Sequence, residues 1–308
     1  YPTIGTPFAY HHGYFLSVIS ILILCLIIKN NSNLLWFFLP ISMVVSFLCM
    51  QAPSAYINLL ILIFFLYIFI NKKNFSNILY FFIGSLISIL LFYLYFQFTD
   101  VLFRSFLEQY ILFPLTIGSD RISSAEGAFV SLGSKLNFKS IFLDFKFLHL
   151  LLIVILYVIF IKSKNYKSTN NKILKNLILI LFASYIFIFN QLVTANQIYI
   201  FSLIPIVGGF GHVGIKEYLR DKKFLNIFIV LIVLISTIKY HERFNINRKF
   251  IDLENKNLSL AINANQIDDK FKNLKWITVR NPKNPGNEIK SILKTIEILK
   301  QDKKKKMI

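Results

Sequence analysis

Residues 1–99 contain no aspartate or glutamate, and their only basic residues are Lys29, Lys72 and Lys73. Over all 308 residues 16% are charged and 56% hydrophobic, where soluble globular proteins carry about 25% charge. Charge this sparse excludes an ordinary cytosolic enzyme and a disordered chain. Cysteine is nearly absent: Cys25 and Cys49 both lie in apolar runs and read as small buried hydrophobes, so no disulfide framework forms. No CxxC or HExxH spacing occurs, and no metal ligand set is legible. Glycine (11) and proline (8) are few. With abundant Ile, Asn, Lys and Phe this is the drift of an AT-rich genome and carries no mechanism.

What is present is apolar sequence in long runs. Crossing the hydrocarbon core takes about 20 apolar residues in a helix, at roughly 1.5 Å rise per residue over about 30 Å. Eight runs meet or approach this: Tyr14–Ile28, Leu34–Met50, Ala55–Ile70, Ile78–Phe96, Phe147–Ile161, Leu174–Phe189, Ile198–Phe210 and Phe224–Ile238. The seventh is the weakest, short and carrying Pro205, Gly208 and Gly209. The expectation is an α-helical polytopic membrane protein of about eight spans over 1–239, followed by a soluble segment, 240–308.

Alternate connections carry 12 basic residues in four short loops, ending with Lys216, Arg220, Lys222 and Lys223. The opposite set carries five, all in the loop over 97–146, where five acids balance them. By the positive-inside rule the Lys-rich loops face the cytoplasm. Tyr1, the long loop and the tail are then extracytoplasmic. The net charge of +19 is placed beside spans and in the tail, which holds 16 basic and 8 acidic residues. That suits anionic membrane lipids, and with no aromatic–basic binding module it argues against nucleic acid.

The long loop has structure of its own. Between Phe98 and Phe113, Phe98, Leu102, Phe106 and Tyr110 recur at helical spacing while Asp100, Arg104 and Glu108 form a charged stripe. This predicts a helix lying in the membrane interface, ended by Pro114. A polar, turn-rich stretch over 118–127 follows. In the tail, 275–279 predicts a short strand, 281–286 a turn, and Ile289, Ile292, Leu293, Ile296 and Leu299 one face of an amphipathic helix. Together they suggest a partial α/β domain. Neither end reads as a natural terminus: no basic n-region of a signal peptide precedes the first run, and the chain stops just after a helical pattern. The expectation is a piece of a longer protein.

Several residues are candidates for chemistry. His11 and His12 precede the first span and suit phosphate binding or acid–base work, or simply mark a helix start. Asp100, Arg104 and Glu108 suit a phosphate headgroup, or plain i,i+4 pairing worth about 0.2–0.5 kcal/mol per pair. Asp120, Arg121 and Glu126 lie in a loop, where binding residues concentrate. Gln51, Asn190, Gln191, Asn196 and Gln197 are polar groups at one membrane face, suited to a cavity or to helix–helix hydrogen bonds. Apart from His149, no ionisable residue lies well inside a span. This disfavours an ion-coupled transporter, whose relays need such residues.

Four stretches together resemble a known family. They are Thr3-Ile-Gly-Thr-Pro-Phe-Ala-Tyr-His-His-Gly13, Phe47-Leu-Cys-Met-Gln-Ala-Pro-Ser-Ala-Tyr56, Gln109-Tyr-Ile-Leu-Phe-Pro114 and Asn196-Gln-Ile-Tyr-Ile-Phe-Ser-Leu-Ile-Pro205. The chain over roughly 1–240 looks like the integral membrane glycosyltransferases of the C superfamily, of the mannosyl/arabinosyltransferase kind. The tail near Trp276–Lys300 resembles their periplasmic extension more weakly. The resemblance implies sugar transfer from a polyprenyl-phosphate donor to a glycan or lipid acceptor at the extracytoplasmic face, with no cofactor and an undetermined divalent-metal requirement. It implies a catalytic carboxylate in a first extracytoplasmic loop, which here would lie upstream of Tyr1. It also implies donor-phosphate roles for His11, His12, Gln51 (Met50-Gln51 stands where members often have Lys-Gln), Arg104 and Arg121. The alternatives are an O-antigen polymerase or ligase, and a non-enzymatic flippase or transporter for lipid-linked sugars.

Overall fold

The computed structural model describes residues 9–72, 74–99, 101–116, 137–164, 172–194, 200–219, 222–242, 258–277 and 284–301. Two compact units divide after Tyr240.

In the first unit all eight apolar runs are helical: α1 (Ala9–Asn30), α2 (Asn33–Cys49), α3 (Gln51–Lys72), α4 (Phe75–Phe98), α6 (Lys146–Lys164), α7 (Lys172–Thr194), α8 (Ile200–Tyr218) and α9 (Lys223–His241). Six of them are long and apolar enough to cross a bilayer. The other two are α2, with 17 residues, and α8, whose last turn carries Lys216 and Glu217. The lipid solvent explains which side chains face out. Phe82, Leu86 and Ile89 of α4 and Ile227, Leu231 and Leu234 of α9 are exposed. In water so much bare apolar surface would be a liability, whereas against acyl chains it costs nothing. The chain is an α-helical, multi-pass membrane protein.

Without a hydrophobic drive between helices, close backbone approach and buried hydrogen bonds hold the bundle together. A Cβ on Gly84 would lie 2.1 Å from the Phe37 carbonyl oxygen, so α4 crosses α2 at backbone contact. A Cβ on Gly13 of α1 would lie 2.5 Å from the Met50 Cβ, so α1 approaches the α2–α3 break closely as well. Buried Ser17, Ser54 and Ser46 then link α1, α3 and α2: the Ser17 and Ser54 hydroxyls are 3.0 Å apart, and Ser54 donates to the Ser46 carbonyl at 2.9 Å. Asn58 donates to Met43 O, and Asn77 to Asn31 Oδ1. The second group, α6 to α8, packs on the first through α1 and α3 against α7.

The seventh run is corrected. Helix α8 passes through Pro205, Gly208, Gly209 and Gly211 and continues to Tyr218. Three glycines of the helix, Gly208, Gly211 and Gly214, are packing surface. A Cβ on Gly208 would meet Val233 at 3.0 Å, on Gly211 Ile229 at 3.2 Å, and on Gly214 Leu177 at 2.9 Å. His212, which the sequence leaves in a loop, is therefore helical, its Nδ1 at 2.9 Å from Asn226 Oδ1 of α9.

The lysines gather at one end. Lys172 donates to the Lys29 carbonyl at 2.8 Å, Lys175 lies over the Tyr67 ring at 5.0 Å, and Lys162 over Tyr218 at 4.9 Å. The Leu174 amide donates to the Tyr218 hydroxyl, and Lys222 reaches Tyr157.

The interfacial helix differs from expectation at both ends. Phe98 closes α4, and the helical run α5 covers 103–116: an α turn at Phe103–Phe106, a π-helix at Leu107–Leu112 and a last α turn containing Pro114. A proline ring clashes with the carbonyl four residues back, and the wider π turn relieves that clash. Pro114 therefore reshapes the helix and does not stop it.

In the second unit, β1 (Ile262–Asn263) pairs antiparallel with β2 (Lys275–Trp276), in the register Ile262 to Trp276. Helix α10 (Pro285–Gln301) buries Pro285 and Ile289 among its described residues, while Leu293 and Leu299 are exposed. The predicted strand is thus two residues long in an antiparallel ribbon, and the described residues form no larger sheet.

Candidate functional site

At the end opposite the lysines the α2–α3 break organises a site. Met50 and Ala52 are extended, so regular helix resumes at Pro53, a residue pre-set for a first helical turn. The break leaves the last α2 carbonyls without helical donors. The Tyr110 hydroxyl fills that role, forking between Phe47 O (2.7 Å) and Leu48 O (2.5 Å). In return Gln51 Nε2 donates to the Tyr110 carbonyl at 2.9 Å. Pro114 lacks the N–H that would normally reach this carbonyl four residues back, so Gln51 replaces a missing helical donor. Burial, with the Cys49 thiol adding, pushes the Tyr110 phenol up to about 12. It stays a donor at any ordinary pH.

Aromatic rings clip the rest of α5 to α4. Phe106 stacks on Tyr110 at 5.0 Å and meets Phe92 and Phe96 edge-on at 5.1 and 5.5 Å. Beneath this roof lies an apolar cavity of about 400 Å³ between α2 and α4, lined by Val44, Leu48, Leu91, Tyr95, Phe106 and Tyr110. Its walls suit a hydrocarbon chain.

Across the same end, α1 and α7 run antiparallel. Tyr14 packs on Phe187 at 4.7 Å and its hydroxyl lies 3.2 Å from Ser202 of α8. One turn outward on each helix come His11 on α1 and Asn190 and Gln191 on α7. Both His11 ring nitrogens are shielded from solvent, while His12 is exposed, as neighbours on a helix must point apart. Asn190 and Gln191 are buried, and neither Gln191 Nε2 nor Oε1 has a hydrogen-bond partner among the described residues. A primary amide buried so is costly without partners, and this end of the bundle is polar inside.

The other sequence candidates are placed as follows. Arg104 and Glu108 form an exposed i,i+4 ion pair at 2.9 Å, the arginine side chain 89% exposed. Asp100, Asp120, Arg121, Glu126, Asn196 and Gln197 lie outside the described residues. Gln51 is committed to Tyr110, a positioning contact. His149 Nε2 lies 2.8 Å from the Ile141 carbonyl, tying the start of α6 to the π turn Lys139–Leu143. Among the described residues no three His, Cys, Asp or Glu side chains gather to hold a metal ion.

Sequence reasoning missed Tyr110 as an anchor. The available signal was the proline four residues on, which leaves the Tyr110 carbonyl without its usual donor. It also missed a groove of about 910 Å³ at the lysine-rich end, between α1, α7 and α8. No family model, curated protein or solved structure matches the chain.

Proposed function

We propose that this chain is the membrane body of an enzyme that transfers a sugar from a polyprenyl-phosphate donor to a cell-envelope lipid or polysaccharide. The reaction runs at the extracytoplasmic face of a bacterial inner membrane. The observation that carries the reading is the apolar cavity of about 400 Å³ under α5, roofed by that helix. A prenyl chain fits there with its phosphate at the α5 surface, where Arg104 sits. In the reaction the acceptor hydroxyl oxygen bonds the anomeric carbon as the carbon–oxygen bond to phosphate breaks. The hydroxyl proton passes to a carboxylate, and polyprenyl phosphate leaves with its charge held by donors. The expected positions for those donors are His11, His12, Gln51, Arg104 and Arg121, with the carboxylate upstream of Tyr1.

Eight crossings are part of this reading. The C-terminal ends of α1 and α3 both meet α7 at the lysine-rich end, so α2 returns between them. The C-terminal end of α8 meets Lys162 and Leu174 there, which supports a crossing by α8. The lysine-rich end is cytoplasmic, and the tail is an extracytoplasmic α/β extension.

The test is transfer from labelled polyprenyl-phosphate sugars by the full-length protein in proteoliposomes, scored against chain polymerisation and lipid translocation. His12→Ala and Arg121→Ala should slow transfer without changing membrane insertion, and wild-type rates in both remove the site assignment. Val45→Trp, which fills the cavity wall, should raise KM for the donor with little change in kcat.

A further inference from the structure

The groove at the lysine-rich end combines features that the proposed reaction does not use. It lies between α1, α7 and α8, and its volume of about 910 Å³ falls within the roughly 300–1,000 Å³ typical of small-molecule sites. Its inner wall is apolar, with Leu22, Leu26, Pro205 and Phe210. From Leu22 to Lys29 is seven residues of helix, so the groove runs about 10 Å into the hydrocarbon from the lysine level.

Its mouth is charged. Lys29 and Lys172 line one side and Glu217 the other. None of the three forms an ion pair among the described residues. Lys172 spends one N–H on the Lys29 carbonyl at the end of α1 and keeps two more to donate. Asn176 is anchored through its Nδ2 to the Cys25 carbonyl at 3.3 Å. Its Oδ1 is shielded from solvent and has no partner among the described residues, while the residue itself belongs to the same wall. Gly209 of α8 faces the open space of the groove. A Cβ on Gly209 would meet nothing within 4 Å, whereas Gly208, Gly211 and Gly214 on the packed sides of α8 have neighbours at 2.9–3.2 Å.

We infer that this groove is a binding site for one anionic phospholipid with a hydroxyl-bearing headgroup, drawn from the leaflet at the lysine-rich end. The phosphate sits between Lys29 and Lys172, a headgroup hydroxyl donates to Glu217, and an acyl chain lies along α1 and α8. Basic pockets between membrane helices recognise anionic headgroups in this way. The apolar depth selects a lipid over a soluble phosphate. This site stands apart from the α5 cavity and does not depend on the glycosyl-transfer reading.

The test is native mass spectrometry of the full-length protein released from nanodiscs of phosphatidylglycerol or phosphatidylcholine, with free glycerol phosphate as competitor. The expected result is retention of one phosphatidylglycerol per chain in preference to phosphatidylcholine, undisplaced by glycerol phosphate. Lys29→Gln and Lys172→Gln should each lower retention about fivefold, the value of one lysine near an anionic headgroup. Gly209→Trp should abolish it while leaving helix content and thermal unfolding unchanged. Equal retention of both lipids, displacement by glycerol phosphate, or wild-type retention in Lys29→Gln would each overturn the proposal. The lysine variants lie at helix ends and keep the test decisive if the tryptophan disturbs α8.

Discussion

Gln51 Nε2 donates to the Tyr110 carbonyl at 2.9 Å while the Tyr110 hydroxyl caps the Phe47 and Leu48 carbonyls beside it. Each residue satisfies a backbone group that the other's element leaves bare. The reciprocal arrangement makes the α2–α3 break and α5 one unit. Tyr110→Phe keeps the ring stack on Phe106 and deletes the cap, and Gln51→Leu deletes the return bond. Each should loosen α5 by about 0.5–1.5 kcal/mol, read as faster protease cleavage near 116. Because the two bonds support one docking event, the double variant should cost less than the sum. Strict additivity would mean the contacts act separately.

The raised Tyr110 phenol gives that docking a pH signature. An acid whose folded value lies above its unfolded one stabilises the fold fully below the unfolded value, about 10 for tyrosine. The contribution is lost as pH rises through about 12. Cleavage near 116 should therefore be flat from neutral pH to about 10 and climb above it. Tyr110→Phe should lack the climb, so an identical profile in that variant would place the transition elsewhere.

Two glycines separate packing from open space. Gly84→Ala drives a methyl into the Phe37 carbonyl oxygen and should lower stability by about 1–3 kcal/mol. Gly209→Ala meets nothing and should be neutral or slightly stabilising, since alanine favours helix. Thermal unfolding in detergent compares them directly, and equal melting points would refute the α2–α4 contact.

Topology is open to labelling. In a background with Cys25→Ala and Cys49→Ala, Ser76→Cys lies at the lysine-rich end and Thr116→Cys at the end of α5. An impermeant maleimide added to intact cells should modify Thr116→Cys and spare Ser76→Cys. The reverse pattern would invert the membrane orientation and remove the extracytoplasmic donor site with it.

Much of this was legible in one dimension. The eight helical runs and the lysine alternation follow from local rules, because hydrocarbon demands about 20 apolar residues and lysine avoids it. Alternation in sequence became a shared end in space, where Lys172 meets Lys29 and Lys162 meets Tyr218. The candidate site was legible only in part. His11, Asn190 and Gln191 stand at one level, as their place at helix ends requires, while Arg104 stands exposed on α5, paired with Glu108.

The sequence by itself determined that the chain is helical and lipid-embedded, since both properties depend on residues near one another along the chain. Tertiary structure alone decided which glycines are packing surface, that Pro114 bends α5 onto Gln51, and where cavities open. Those outcomes depend on pairs such as Gly84 and Phe37 or Gln51 and Tyr110. They lie 47 and 59 positions apart, and no local pattern couples them.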